Sequence, residues 1–315
     1  MLAAVPHILC AGIAVLDEVF RVREFPVPDA KVEASEFITI GGGCAANAAV
    51  AIARLGGRVT FAAPLGGPSD ADAIGNRLLA GLQTEGIDCS GCVRVAGART
   101  PVSAIFIDAR GARTIATYRD PLLNATMPDD PERLVAGVDA VLVDNRFADF
   151  VLPICRAAQA RGIPTVIDAD KATEDTHPLF GTSTHVVFSG ECLRATARTD
   201  DLAAGLAHMA QFTDAFLAVT DGPGPVVWRD GEEIRKTPVF AVEAVDTLGA
   251  GDVFHGAFAL ALVEGRMIDA AIGFAAAAAG IKCTRFGGST AAPGRAEVEA
   301  WLERAGRDLA PPVGP

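Results

Sequence analysis

The chain opens on an unbroken apolar run. Residues 7–13, His-Ile-Leu-Cys-Ala-Gly-Ile, lack polar alternation, which is the pattern of a strand buried on both faces in a parallel sheet. Residues 14–40 are less hydrophobic, are broken by Pro26 and Pro28, and end in the alternating Glu36-Phe-Ile-Thr-Ile40, which suits a half-buried strand in a smaller sheet outside the core. A glycine turn, Gly41-Gly42-Gly43, then leads into an alanine-rich helix that Gly56 and Gly57 stop. A strand at 58–63, a helix at 71–85 ended by Gly86, and a hairpin with arms Val102–Ile107 and Arg113–Tyr118 follow.

From 138 onward strands and helices alternate. Strands at 138–143, 164–167, 185–188 and 215–219 are interleaved with helices at 148–161 and 201–212. That alternation predicts an α/β fold, a mainly parallel sheet with helices on both faces. Strands at 226–229 and 232–235 flank Asp230-Gly231, a hairpin signal near the sheet edge, and helices at 250–264, 268–281 and 294–304 complete the chain. No linker or repeat divides it, so 1–305 reads as a single domain and the proline- and glycine-rich 306–315 as a loose tail. Ligands bind beyond the carboxyl ends of strands in such sheets. Asp17, Asn145, Arg146, Asp168, Ser189 and Thr220, each just after a predicted strand, are therefore expected on one rim.

Composition narrows the partners. With 50% hydrophobic residues in 315, the chain can bury a large core and is not a disordered one. A net charge of −12 argues against a surface built for nucleic acid. No stretch approaches the roughly 18–20 apolar residues of a membrane span, and no basic region precedes an apolar one at the N-terminus, so a cytoplasmic protein is expected. The seven cysteines are scattered, and Cys89-Ser-Gly-Cys92 has no second pair to complete a zinc site.

The chemistry concentrates in 245–262, Val-Asp-Thr-Leu-Gly-Ala-Gly-Asp-Val-Phe-His-Gly-Ala-Phe-Ala-Leu-Ala-Leu. Gly249 and Gly251 permit a tight turn and close ligand approach before a helix whose first amides, from about Ala250 to Asp252, can receive a phosphate. An anion site does not need a carboxylate inside it, yet Asp252 falls in the first helical turn. The economical use is as a general base that accepts a hydroxyl proton while that oxygen attacks the terminal phosphate of a nucleotide. The bland alternative is that Asp252 only complements the helix dipole. A P-loop is absent, since none of the four lysines, 31, 171, 236 and 282, stands in its motif. A dinucleotide fingerprint fails as well, because Phe254 stands where its third glycine belongs.

Asp246-Thr-Leu-Gly-Ala-Gly-Asp252 resembles the C-terminal signature of ribokinase-like (PfkB) carbohydrate kinases, and Gly41 to Gly56 resembles their N-terminal sugar-binding signature. The resemblance spans nearly the whole chain. It implies the ribokinase-like fold with a small β lid, here from about 14–40 and 98–120, and a homodimer formed through that lid sheet. It implies a kinase that uses ATP and Mg2+ to phosphorylate a small sugar, with Asp252 as base and Gly249, Ala250 and Gly251 as anion hole. Asp17, Gly42, Gly43, Asn47 and Asp246 would lie against the sugar, and Ser189, Thr220, Gly222, Gly251 and Gly287 against the nucleotide. The family's Asn-x-x-Glu motif, associated with the metal, is replaced by Ser189-Gly-Glu-Cys192, which leaves Glu191 as its substitute. Members that use K+ bind it through an aspartate and backbone carbonyls, here Asp246 and the carbonyls of Leu248, Lys282, Arg285 and Gly287.

Segments such as 9–17 look like ketohexokinases, whereas Gly-Asp-Val-Phe-His-Gly256, Lys-Cys-Thr-Arg285 and Asp-Asn-Arg146 look closer to sulfofructose kinases. Arg146, after a strand, and Lys31, in the lid segment, are candidates for an anionic group at the far end of the sugar. Surface ion pairing is the plainer reading of both. Other expected alternatives are 2-keto-3-deoxygluconate, ribose or a nucleoside as substrate, or a binding regulator without catalysis.

Overall fold

The computed structural model describes residues 4–306. Its strands are β1 (His7–Ala11), β2 (Val15–Arg21), β3 (Glu36–Gly42), β4 (Arg58–Ala62), β5 (Pro64–Gly67), β6 (Val93–Ala96), β7 (Val102–Ile107), β8 (Arg113–Tyr118), β9 (Ala140–Asp144), β10 (Thr165–Ala169), β11 (His185–Ser189), β12 (Phe216–Thr220), β13 (Val226–Asp230) and β14 (Glu233–Thr237). The helices are α1 (Cys44–Arg54), α2 (Ala73–Thr84), α3 (Pro131–Leu134), α4 (Ala148–Ala160), α5 (Pro178–Thr182), α6 (Gly190–Ala197), α7 (Leu202–Met209), α8 (Ala250–Val263), α9 (Ile268–Cys283) and α10 (Arg295–Arg304). The expected tail falls almost wholly on 307–315, outside the described residues.

The main sheet runs β14-β13-β12-β11-β10-β9-β1-β4, parallel from β12 to β4, with the antiparallel hairpin β13–β14 at one edge. Its strands are apolar throughout because both faces are covered. Along β1, Ile8 and Cys10 join the core that includes α1, α8 and α9, while Leu9 and Ala11 join the core that includes α4, α6 and α7. This is the period-two alternation of a strand, hidden from the hydropathy pattern because neither face meets water. Among the described residues no helix is long and apolar enough to cross a membrane.

The small sheet runs β3-β2-β7-β8. Val19, Ile105 and Ile107 pack with Leu248, and Ile38, Ile40 and Phe286 flank that cluster, so this sheet rests on the loops before α8 and after α9. The hairpin of β7 and β8 has the bounds expected from the sequence. Two placements differ from expectation. Residues 7–13 do not form one strand, since β1 ends at Ala11 and the chain re-enters as β2. Asp17 consequently belongs to the small sheet, inside β2, rather than to the rim of the main one.

Helix α8 is held against α1 at backbone distance. A Cβ on Gly256 would lie 2.6 Å from the carbonyl oxygen of Ala48. The alanines of α1 serve the same approach, for Ala45, Ala48, Ala49 and Ala51 are all fully buried. Gly256→Ala should therefore destabilise the protein by about 1–3 kcal/mol, the usual range for overpacking, despite the helix propensity gained. A shifted urea midpoint with an unchanged slope would show it; an unchanged midpoint would mean that the two helices can move apart freely.

Candidate active site

Two helix starts meet at the carboxyl ends of β1, β9 and β10. Gly249, with φ of 76°, caps α8 in the left-handed conformation that only glycine adopts without strain. Gly43 caps α1 with a positive φ of 99° that also favours glycine, and a side chain there would overlap the carbonyl of Ile13. Gly42 is needed for a different reason, because a Cβ would fall on the Asp17 carboxylate. Gly251 differs again, since a Cβ there meets nothing within 4 Å. The space before the first turn of α8 is thus open, and the first amides of a helix point into such space.

Asp252, in that first turn, is half-buried and accepts a 2.6 Å hydrogen bond at Oδ2 from Nδ2 of Asn47. Burial raises the Asp252 carboxyl to about 7, the nearby Asp168 adds to the rise, and Asn47 and His255 oppose it. The ring of His255 is buried with Nδ1 2.7 Å from the Gly251 carbonyl oxygen and Nε2 3.1 Å from that of Val187. Both neighbours are carbonyl acceptors, so the ring is held between two backbone oxygens. Asp168 Oδ2 lies 3.5 Å from Nδ1.

Asp17 faces this region from the small sheet. It is 6% exposed, and burial pushes its carboxyl up to about 7 against the pull of a hydrogen bond from Ser103. Ser103 Oγ lies 2.9 Å from Thr117 Oγ1 on the neighbouring strand. Asp144 ties the parts together. Its Oδ2 accepts from the amides of Ile13 at 2.7 Å and Ala45 at 3.1 Å, while Oδ1 accepts from Arg146 N at 2.9 Å. Ser103, Asp144 and His255 escaped the sequence reading, because each acts through a partner remote in the chain.

The remaining candidates divide. Arg146 pairs with Asp170 and has Cys44, Asp144 and Asp168 within electrostatic reach, so it stands beside the Asp252 cluster rather than remote from it. Arg119 donates to the Arg146 carbonyl at 3.2 Å. Burial lowers the Lys171 ammonium, and Arg119 and Arg146 nearby lower it further, which places three cations in one neighbourhood. Asn145 holds the 171–173 loop instead of facing a ligand, with Nδ2 donating to Lys171 O at 2.6 Å and Oδ1 accepting from Lys171 N at 3.1 Å. Lys31 is exposed in the connection between β2 and β3, and no contact among the described residues ties it to the cluster.

On the neighbouring strands Ser189 and Thr220 are paired in register. Ser189 Oγ accepts from Cys192 N at 3.1 Å as the cap of α6, and Gly222 has open space where a side chain would be. Glu191 is exposed in the first turn of α6. Cys44, Asp168 and Asp252 each bring one ligand atom within 4.8 Å of the others. Burial and then Asp252 hold the Cys44 thiol well above its usual range, and a neutral thiol is a poor partner for a hard cation such as magnesium.

Asp246 lies beneath the turn that precedes α8. Asp246 is 1% exposed. Its Oδ1 accepts from Leu248 N at 2.8 Å, and its Oδ2 from Gly287 N and Gly288 N, both at 3.1 Å. Of the backbone carbonyls expected to face a monovalent cation, that of Lys282 accepts from Arg285 N at 3.1 Å, and that of Gly287 from Thr290 at 3.1 Å (N) and 2.6 Å (Oγ1). Leu248 itself packs under the small sheet, and the Arg285 side chain pairs with Glu297.

A parallel sheet whose strand ends carry a buried aspartate at a glycine-made helix start, under a second small sheet, defines a sugar phosphotransferase of ribokinase-like fold. The chain belongs to the pfkB family of carbohydrate kinases, whose profile it matches over residues 5–295. It is 28% identical over 300 residues to the ribokinase of Bacillus subtilis, covering 94% of this chain and 99% of that one. A provisionally assigned ribokinase structure from Agrobacterium tumefaciens superposes with a TM-score of 0.91 at 37% identity, covering 97% of this chain and all of that one. The fructokinase of Xylella fastidiosa, solved with bound ATP, gives a TM-score of 0.75 at 26% identity, covering 96% and 99%.

Proposed function

We propose that the protein transfers the γ-phosphate of ATP to a hydroxyl of a small ketose, with Asp252 as general base. The observation that carries this reading is the half-buried Asp252 carboxyl, raised toward neutrality and oriented by Asn47, at the open start of α8. The sugar hydroxyl gives its proton to Asp252 as its oxygen attacks the γ-phosphorus, the bond to the bridging oxygen breaks, and ADP leaves. The amides that follow Gly249 receive the charge that develops on the transferred group. Asp17, anchored by Ser103, orients the sugar from the small sheet, and that sheet acts as the lid that keeps water from competing as acceptor. Ser189, Thr220 and Gly222 line the nucleotide side.

Magnesium on the nucleotide would neutralise phosphate charge, and Glu191 is the carboxylate that could reach it from the strand-end rim. Cytoplasmic ATP is the donor in this proposal. Exposed Phe37, Ile115 and Tyr118 on the small sheet support its pairing with a second copy of the chain. Measuring ADP release against ketoses, aldoses, deoxy-keto acids and nucleosides tests the whole reading. Absence of turnover on every member, with ATP bound, would leave a binding protein.

The cations Arg119, Arg146 and Lys171 favour a ketose bearing an anionic substituent, such as a sulfonate or phosphate. Arginine presents a planar fork to such a group, and a charged hydrogen bond is worth about 1.5–3 kcal/mol. Arg146→Ala should then raise KM for the anionic sugar by roughly 10- to 100-fold and change KM for fructose much less. Equal changes on both sugars would assign Arg146 to holding Asp170 and leave a neutral ketose as substrate.

A further inference from the structure

The side chain of Lys282 is fully buried and ends at Asp246. Its Nζ donates to the Asp246 main-chain oxygen at 2.8 Å and lies 3.1 Å from Oδ2 of the same residue. Lysine is almost never fully buried unless its charge has a partner, and here one residue supplies both acceptors. Of the oxygens that could otherwise surround a monovalent cation, the Asp246 carboxylate and two of the four carbonyls already accept hydrogen bonds. Asp246 accepts three amides besides the ammonium, and the carbonyls of Lys282 and Gly287 close turns of their own loop. A potassium ion added here would meet an ammonium, a like charge, already paired with the Asp246 carboxylate. These residues do not fit the ion.

We infer that the Lys282 ammonium occupies the place of a monovalent cation, so that the enzyme carries its own fixed charge beneath the anion-hole loop and needs no potassium. The ammonium neutralises Asp246 and holds its carbonyl, and Asp246 in turn orients the amides of Leu248, Gly287 and Gly288. Leu248 directly precedes Gly249, the cap of α8. Lys282 is thus a positioning residue. It touches no substrate, and it sets the loop from which the phosphate-binding amides emerge. A tethered cation has an advantage that a dissolved one lacks, for it is present at any salt composition.

The inference rests on the kinase reading, and its test separates the two. Wild-type protein is dialysed into tetramethylammonium buffer and titrated with KCl or tetramethylammonium chloride at matched ionic strength. Melting temperature, ADP affinity by calorimetry and sugar-dependent ADP release are followed. The expected result is that all three change equally in the two salts, with turnover constant within about twofold. Turnover that rises several-fold and saturably with K+, or a melting temperature or ADP affinity raised by K+ alone, overturns the inference. Failure to phosphorylate any sugar would count against the kinase reading only, because the first two readouts do not need turnover.

Lys282→Ala provides the second arm. With the ammonium gone, turnover in tetramethylammonium buffer should fall by at least about tenfold, and K+ or methylammonium should restore several-fold of it while leaving wild type unmoved. A folded variant with unchanged turnover, or one that loses turnover and responds to no cation, overturns the inference. Should the variant fail to fold, Lys282→Ala combined with Asp246→Asn removes the unpaired buried carboxylate, and the wild-type salt series decides by itself.

Discussion

Asp252→Asn should abolish phosphoryl transfer almost completely while ADP still binds. The amide preserves the shape of the side chain and its contact with Asn47, but it cannot take a proton. Loss of a positioned base costs on the order of 10² to 10⁴ in rate. A variant that kept half of wild-type turnover, under conditions where chemistry limits the rate, would remove Asp252 from the mechanism. Two companion effects follow from the raised carboxyl. In wild type, kcat/KM should fall as pH drops through about 7, because the base must be unprotonated, and Asn47→Ala should move that fall to higher pH by removing a bond that lowers the Asp252 pKa. Stability responds in the opposite sense. A carboxyl whose folded pKa lies above its unfolded value contributes most below the unfolded pKa, and that contribution is lost as pH rises through the folded one. Asp252→Asn should therefore gain in melting temperature over wild type as pH rises from about 4 to 7.

Gly251→Val should be equally inactive for a different reason. The new side chain enters space where, apart from its own stretch of helix, no protein atom lies within 4 Å of its Cβ, so it obstructs a ligand without disturbing the fold. Replacing glycine in a helix even favours the folded state, by about 0.5–1 kcal/mol for Gly251→Ala. The diagnostic result is a protein that melts no lower than wild type and neither turns over sugar nor protects ATP analogues. A soluble, fully active Gly251→Val enzyme would mean that the phosphates lie elsewhere. Gly256→Ala, five residues along the same helix, should do the reverse and lose stability.

What the sequence shows of this molecule is mostly what a short segment can carry. The glycine turn at 249–251 and Asp252 lie within one turn of helix, and the hairpin of β7 and β8 announces itself by the turn Asp108-Ala-Arg-Gly111 between its arms. Its failures are of two kinds. β5 (Pro-Leu-Gly-Gly) and β6 (Val-Arg-Val-Ala) are four-residue pieces without enough length for a period, and the end of β1 is overrun because the apolar run continues across Gly12 to Ile13. The other failures are long-range. Asn47 and Asp252 are 205 residues apart, and Asp144 and Ile13 are 131 apart. Nothing local distinguishes an asparagine that touches sugar from one that holds a catalytic carboxylate. Lys282 is instructive too, since its identity is visible in the sequence but the direction of its side chain is not. The resemblance pointed to its carbonyl, whereas the packing of α9 brings its ammonium to Asp246.

The backbone contact between α1 and α8 also bears on how such an enzyme can diversify. Asn47 and Asp252 are carried on two helices locked at Gly256 and Ala48, so the proposed reactive centre is one rigid part. Groups suited to reading the sugar come from other parts, Asp17 and Ser103 from the small sheet and Arg119 and Arg146 from loops that reach the rim. A lineage can therefore exchange the second set while inheriting the first unchanged, which makes these loops and strands the place to graft a new preference.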